Sequence, residues 1–220
     1  MYCVVPKVIS LELCKFLTDY FLLKRKVATT LFKFEYLSPF SKEWGTWTDI
    51  QVPKTYAHYG DIAMDTLLPK VQPILEKKLK LKLYPTYTYA RIYKKGDVLE
   101  RHKDRPSCEI SATMFLGGDP WSIYLEPDPN LGGKPAAVGK YTASKSKGVE
   151  VKLKEGDILI YKGCEMEHWR KKFKGENCVQ VFLHYNNVDR IQDNGLFNLY
   201  DNRPHLGLPA WFQGRTGDNK

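Results

Sequence analysis

Arg101-His102-Lys103-Asp104-Arg105 is the stretch on which the reading of this sequence turns, and Glu167-His168-Trp169-Arg170 is its counterpart further along. Side chains alternate across an extended strand with a period of two, so His102 and Asp104 project from one face and offer two ligands together. His168 would complete a set of two imidazoles and one carboxylate on one face of a metal. Such a set suits Fe(II) and leaves coordination positions open. A lone His-x-Asp is common at solvated strand ends, so the flanking chain must supply the rest of the pattern.

Working outward, residues 84–93 are rich in Tyr and Thr and predict a long strand, Gly96-Asp97 a turn, and 98–103 the returning strand that carries His102. Further strands are expected at 108–116, 121–125, 149–153, 158–162 and 178–185, with turns at Gly117-Gly118-Asp119-Pro120 and Lys154-Glu155-Gly156-Asp157. Residues 127–148 predict a long loop or loop-rich hairpin. Upstream, residues 1–9 suit a short strand. Ser10 is placed to cap a helix from 11 to about 24, with Leu13, Phe16, Leu17, Tyr20 and Phe21 on its apolar face. Residues 27–36 have strand composition, and Trp44 and Trp47 are expected as packed indoles or as part of a loop over a cleft. A second helix is expected within 59–80, broken or restarted near Pro69 and Pro73. Short strands with little helix between them indicate a mainly β fold with flanking helices, an antiparallel sandwich or barrel.

A length of 220 residues with 43% hydrophobic content suits one domain with a substantial core. Residues 1–82 would form helical support and lid elements, 83–186 the β core and 187–220 a tail in which 205–212 docks and 214–220 frays. Five cysteines without a CxxC pair make a disulfide framework improbable and fit a reducing, cytoplasmic setting. Glu12, Lys15 and Asp19 interrupt the early apolar run, which excludes a signal peptide or membrane span there. The net charge of +9 admits a polyanionic partner, although the basic residues are scattered.

The run from Tyr93 through Gly96 to His102 and Asp104, the strand Ser111-Ala112-Thr113-Met114-Phe115-Leu116, the segment Gly156-Asp157-Ile158-Leu159-Ile160-Tyr161, and His168, 64 residues beyond Asp104, resemble the Fe(II)- and 2-oxoglutarate-dependent dioxygenases, most of all their prolyl 4-hydroxylase-like branch. The likeness spans about residues 84–186. It implies a double-stranded β-helix, or cupin-like jelly roll, with Fe(II) held by His102, Asp104 and His168. It also implies 2-oxoglutarate and O2 as co-substrates, and hydroxylation of a peptide or protein side chain, with proline one candidate. The same chemistry on a nucleobase or nucleic acid, and a jelly-roll module that binds a small ligand without catalysis, are the alternatives.

The sequence departs from that family at one place. The branch carries a basic residue nine or ten positions after the second histidine, to hold the distal carboxylate of 2-oxoglutarate; here those positions are Asn177 and Cys178. Arg170 is the first substitute, with Arg91 and Lys174 behind it, because a guanidinium can bind a carboxylate through two parallel hydrogen bonds. Tyr93 and Thr113 are expected as hydroxyl contacts from neighbouring strands. Glu165 and Glu167 are candidates to accept a ring N–H of His168. His58, His184 and His205 are expected to be packing or surface residues.

Overall fold

The computed structural model describes residues 1–38, 40–128, 130–135, 141–190 and 203–208. Twelve strands are present among them: β1 (Tyr2–Val5), β2 (Tyr56–Tyr59), β3 (Leu83–Lys94), β4 (Leu99–His102), β5 (Ile110–Gly118), β6 (Ile123–Leu125), β7 (Lys134–Pro135), β8 (Tyr141–Thr142), β9 (Val149–Val151), β10 (Ile158–Tyr161), β11 (His168–Arg170) and β12 (Asn177–Asn187). A six-stranded antiparallel sheet has the order β1-β10-β5-β12-β3-β2, and a four-stranded one the order β4-β11-β6-β9. The two sheets make the jelly roll. Among its described residues, the segment 127–148 contributes the paired strands β7 and β8.

The large sheet is buried on both faces, and strand alternation sorts its residues. Along β12, Val179, Val181, Leu183 and Tyr185 pack outward with Ala90 and Ile92 of β3 and Ala112 and Met114 of β5. The intervening Cys178, Gln180, Phe182 and His184 lie opposite Tyr93, Arg91, Tyr89 and Tyr87. These point between the sheets, toward Leu99 of the smaller one. One layer is thus aliphatic and supports helices, while the other is aromatic and polar and encloses the site.

Helix α1 (Leu11–Lys33) and helix α3 (Leu67–Leu79) cover the outer layer. Ser10 caps α1 through its Oγ, which accepts from the Leu13 amide at 3.2 Å. The helix runs well past the expected end near residue 24, through the segment of strand composition. Ala28 and Phe32 prolong the stripe of Cys14, Leu17 and Phe21 at helical spacing, and Thr29 and Thr30 turn their hydroxyls back onto the carbonyls of Arg25 and Lys26. Packing on the sheet thereby overrides the β preference of 27–33. Phe16, expected on the buried face, is exposed.

The second helical region begins at 62, because 56–59 is taken into the sheet as β2. It divides into α2 (Ile62–Asp65) and α3 at Thr66; Pro69 falls in the first turn of α3, where no amide donor is needed, and Pro73 lies within it. Trp47 packs against Tyr56 and Phe32, whereas Trp44 is 36% exposed. Of the tail, His205 is buried and stacks on Tyr84; residues 209–220, including the expected frayed end, lie outside the described residues. No helix among the described residues is long and apolar enough to cross a membrane.

Candidate metal centre

His102 ends β4 and His168 begins β11, and the antiparallel pairing of these strands sets the two residues directly opposite each other. Their ring centroids are 4.1 Å apart. Asp104 follows just beyond β4, its amide donating to the Gly163 carbonyl at 2.9 Å. Its Oδ1 lies 3.5 Å from Nε2 of His102 and 3.5 Å from Nε2 of His168. The three residues predicted as metal ligands therefore converge, with one ligand atom from each within 4.8 Å of the others.

The imidazoles are set for metal binding by their other nitrogens. His102 Nδ1 donates to the Glu100 carbonyl at 2.8 Å and His168 Nδ1 to the Met166 carbonyl at 3.0 Å. Each bond places the ring proton on Nδ1 and leaves the Nε2 lone pair directed at Asp104. Burial lowers the pKa of His102, and the neighbouring His168 lowers it further, favouring the neutral ligand form. Burial raises that of Asp104, but a proton on either neighbouring imidazole, His168 foremost, outweighs it and holds the carboxyl well below its ordinary value, as a metal cation at the same point would. Ser111 steadies the carboxylate by donating to Oδ2 at 2.8 Å.

Backbone carbonyls, and not the flanking acids, thus accept the ring N–H groups. Glu165 pairs with Lys162 near the surface. Glu167 is fully buried with its side chain on the opposite side of the strand from His168, where it accepts from Ser144, from Tyr141 Oη at 3.2 Å and from Arg101 Nη1 at 3.2 Å. It fastens the 141–148 segment to β11 and β4.

The triad opens into a pocket of about 140 Å³ lined by Tyr87, Tyr89, Arg91 and Tyr93 of β3, by Phe182 and His184 of β12, by Tyr161, and at its rim by Gln51, Tyr59, Lys103 and Arg105. Tyr93 and Thr113 both face the interior, but Thr113 is fully buried beside Tyr161, 3.5 Å from its Oη. Arg91 is a pocket residue whose guanidinium is already engaged by Asp49 at 3.0 Å and by the Tyr89 hydroxyl at 2.5 Å. Arg170 is fully buried and its charge acts on the phenols of both Tyr93 and Tyr161. It donates from Nη1 to the Trp121 carbonyl, while its Nε and Nη2 have no hydrogen-bond partner among the described residues. Lys174 is exposed, which removes it as an interior cation. Asn177 turns outward to accept from Arg25, and the inward Cys178 meets Gln180, so no cation occupies the positions expected of the family.

His58 and His205 are buried elsewhere, on Asp61 and on the Thr86 carbonyl. His184 lines the pocket instead, with Nδ1 3.1 Å from Ser111 Oγ. Together with Ser111 and Gly163 it was missed as a site residue. The only signal was its period-two phase with Phe182 on β12, which marks the inner face of the strand but not the site itself.

Among solved structures, the nogalamycin-pathway epimerase SnoN with Fe3+, α-ketoglutarate and nogalamycin RO superposes with a TM-score of 0.58 at 13% identity, over 85% of this chain and 79% of that one. This is the 2-oxoglutarate/Fe(II) oxygenase fold. HygX of Streptomyces hygroscopicus, solved with nickel and 2-oxoglutarate, has the same fold at a TM-score of 0.57 and 14% identity, over 85% of this chain and 83% of that one. A Pseudomonas putida prolyl-4-hydroxylase gives 0.53 at 16%, over 84% and 92%. No protein-family model matches the sequence, and no curated protein does. The resemblance to this oxygenase fold therefore lives in the backbone and in a few spaced residues.

Proposed function

We propose that this chain is an Fe(II)- and 2-oxoglutarate-dependent dioxygenase that hydroxylates a peptide or protein side chain. The observation that carries this reading is the convergence of His102, Asp104 and His168 with both imidazoles fixed in the ligating tautomer. Two imidazole nitrogens and a carboxylate match the donor set of a metal that keeps positions open for a co-substrate and O2. When bound, iron and 2-oxoglutarate supply the oxidation, coupled to decarboxylation of the co-substrate to succinate.

The residues of the chain supply position and seclusion. Ser111 holds one oxygen of Asp104 and so keeps the other turned to the imidazoles. Arg170 does not itself line the pocket but lies beside Tyr93 and Tyr161, which do, and it is assigned the distal carboxylate of the co-substrate because its Nε and Nη2 have no hydrogen-bond partner among the described residues and an incoming carboxylate would supply one. Tyr93 and Tyr161 would flank it, and the aromatic wall of Tyr87, Tyr89 and Phe182 keeps water from the site. The pocket opens at Gln51, Tyr59, Lys103 and Arg105, which suits a peptide lying across the rim.

A second reading, the same chemistry on a nucleobase, draws on Lys103 and Arg105 at the pocket. It predicts retention of single-stranded oligonucleotide that weakens steeply with salt; a flat salt response counts against it. The oxygenase reading itself is tested by anaerobic titration of the protein with Fe(II) and 2-oxoglutarate. A weak visible metal-to-ligand band is expected, absent in His102→Ala and Asp104→Ala. An unaltered band in those variants would overturn the metal assignment.

A further inference from the structure

Asp104 faces two ways. Its Oδ1 is directed at the two imidazoles of the triad, whereas Oδ2 accepts from Ser111, whose Oγ also lies 3.1 Å from Nδ1 of His184. On that second side a different set of groups gathers. Cys108 comes from the short 3-10 turn Pro106–Cys108 that precedes β5, and His184 from the inner face of β12. One ligand atom from each of Asp104, Cys108 and His184 lies within 4.8 Å of the other two. All three line the pocket, and Cys108 and His184 are buried.

We propose that Asp104, Cys108 and His184 form a second metal site, selective for a thiophilic divalent cation such as Zn2+. A thiolate, an imidazole and a carboxylate are donors that zinc takes in tetrahedral geometry, and three protein ligands leave a fourth position for water or a bound molecule. The triad offers no sulfur and suits Fe(II), so the two sites differ in softness and would sort the two metals. The backbone keeps this side of the carboxylate close-packed. A Cβ at Gly163 would stand 2.5 Å from Asp104 Oδ2 and 2.2 Å from Ser111 Oγ. Because both sites use Asp104, zinc in the second would compete with the triad for its only carboxylate. The proposal does not depend on the oxygenase reading; it shares one residue with it.

The test uses the full-length, reduced, metal-free protein titrated with CdCl2 as a spectroscopic substitute for zinc. An ultraviolet thiolate-to-cadmium band is expected in the wild type and in His102→Ala, lost in Cys108→Ser and shifted at least tenfold to weaker binding in His184→Gln. A band of full intensity in Cys108→Ser overturns the proposal, since another cysteine then carries it, and so does the absence of any band in the wild type. Zinc K-edge absorption of the wild-type protein with two equivalents of Zn2+ guards against a misfolded variant. A sulfur neighbour at about 2.3 Å is expected, and a first shell of nitrogen and oxygen alone refutes the site. Failure of the oxygenase reading would appear in the Fe(II) titration and leave the cadmium result untouched.

Discussion

At the residue scale, the site depends on groups that hold the ligands as much as on the ligands themselves. His102 and His168 are useful to a metal only because Glu100 and Met166 offer carbonyls to the far side of each ring. Arg170 is the residue on which the co-substrate reading depends most. Replacing it with Met removes a charge-assisted hydrogen bond worth about 1.5–3 kcal/mol, so affinity for 2-oxoglutarate should fall by roughly 10- to 100-fold, with Fe(II) affinity unchanged. Calorimetric titration of the Fe(II)-loaded protein measures this, and an equal effect from Arg91→Met with none from Arg170→Met would transfer the role to Arg91. Gly163 offers a different check. Its added Cβ in Gly163→Ala would press on Asp104, Ser111 and the Cys108 carbonyl, so Fe(II) binding should weaken at least tenfold and the thermal midpoint should fall with it. Unchanged iron affinity would show that the carboxylate can give way.

At the element scale, β4 and β11 are only four and three residues long, yet they carry both histidines. Strands so short need fastening from outside the ladder. Glu167 does this by pointing away from the site and gathering Arg101, Tyr141 and Ser144 onto β11 and β4. Its pKa is influenced first by burial, which raises it, but the hydrogen bonds from Ser144 and Tyr141 and the Arg101 charge leave it lowered. Glu167→Ala takes the carboxylate acceptor from Ser144 and Tyr141 and leaves Arg101 only the Ser144 hydroxyl and the Ser146 carbonyl. A loss of about 2–4 kcal/mol is expected, together with faster amide exchange in residues 141–148. Stability within about 0.5 kcal/mol of wild type would mean that the hairpin is held by other contacts, such as Arg101 stacked 3.4 Å over Trp169.

At the scale of the whole molecule, buried acids join parts distant in sequence. Asp65 accepts from the Thr88 amide at 3.2 Å and from the Gly207 amide at 2.7 Å, tying α2 to β3 and to the segment 203–208. Burial raises its pKa to about 6, outweighing the Thr88 and Gly207 hydrogen bonds. The folded state therefore holds this proton more tightly than the unfolded chain, whose value is near 3.8. The folded protein carries no penalty from Asp65 below that pH; the penalty grows as pH rises toward 6 and is complete above it. Relative to Asp65→Asn, the wild type should lose on the order of 3 kcal/mol of stability between pH 4 and pH 7. Denaturant midpoints of the two proteins at both pH values measure the difference, and parallel pH dependence would show that Asp65 does not titrate in that window.

Period-two alternation, the glycine turns and the spacing of His102, Asp104 and His168 are local or nearly local properties, so most strands of the jelly roll and the three residues that converge in it were legible in the sequence. The extent of α1 was not. Residues 27–33 have strand composition and become helical because Ala28 and Phe32 find the outer face of the sheet, a contact that only the assembled fold supplies. The same holds for the surroundings of the His102, Asp104 and His168 cluster. That Asn177 faces outward while Arg170 is buried with two nitrogens lacking a hydrogen bond among the described residues is decided by how β11 and β12 close the barrel. So is the meeting of Asp104 with Ser111, Cys108 and His184. Their chain separations reach 80 residues, and no periodicity in a sequence encodes an encounter between strands that are neighbours only in space.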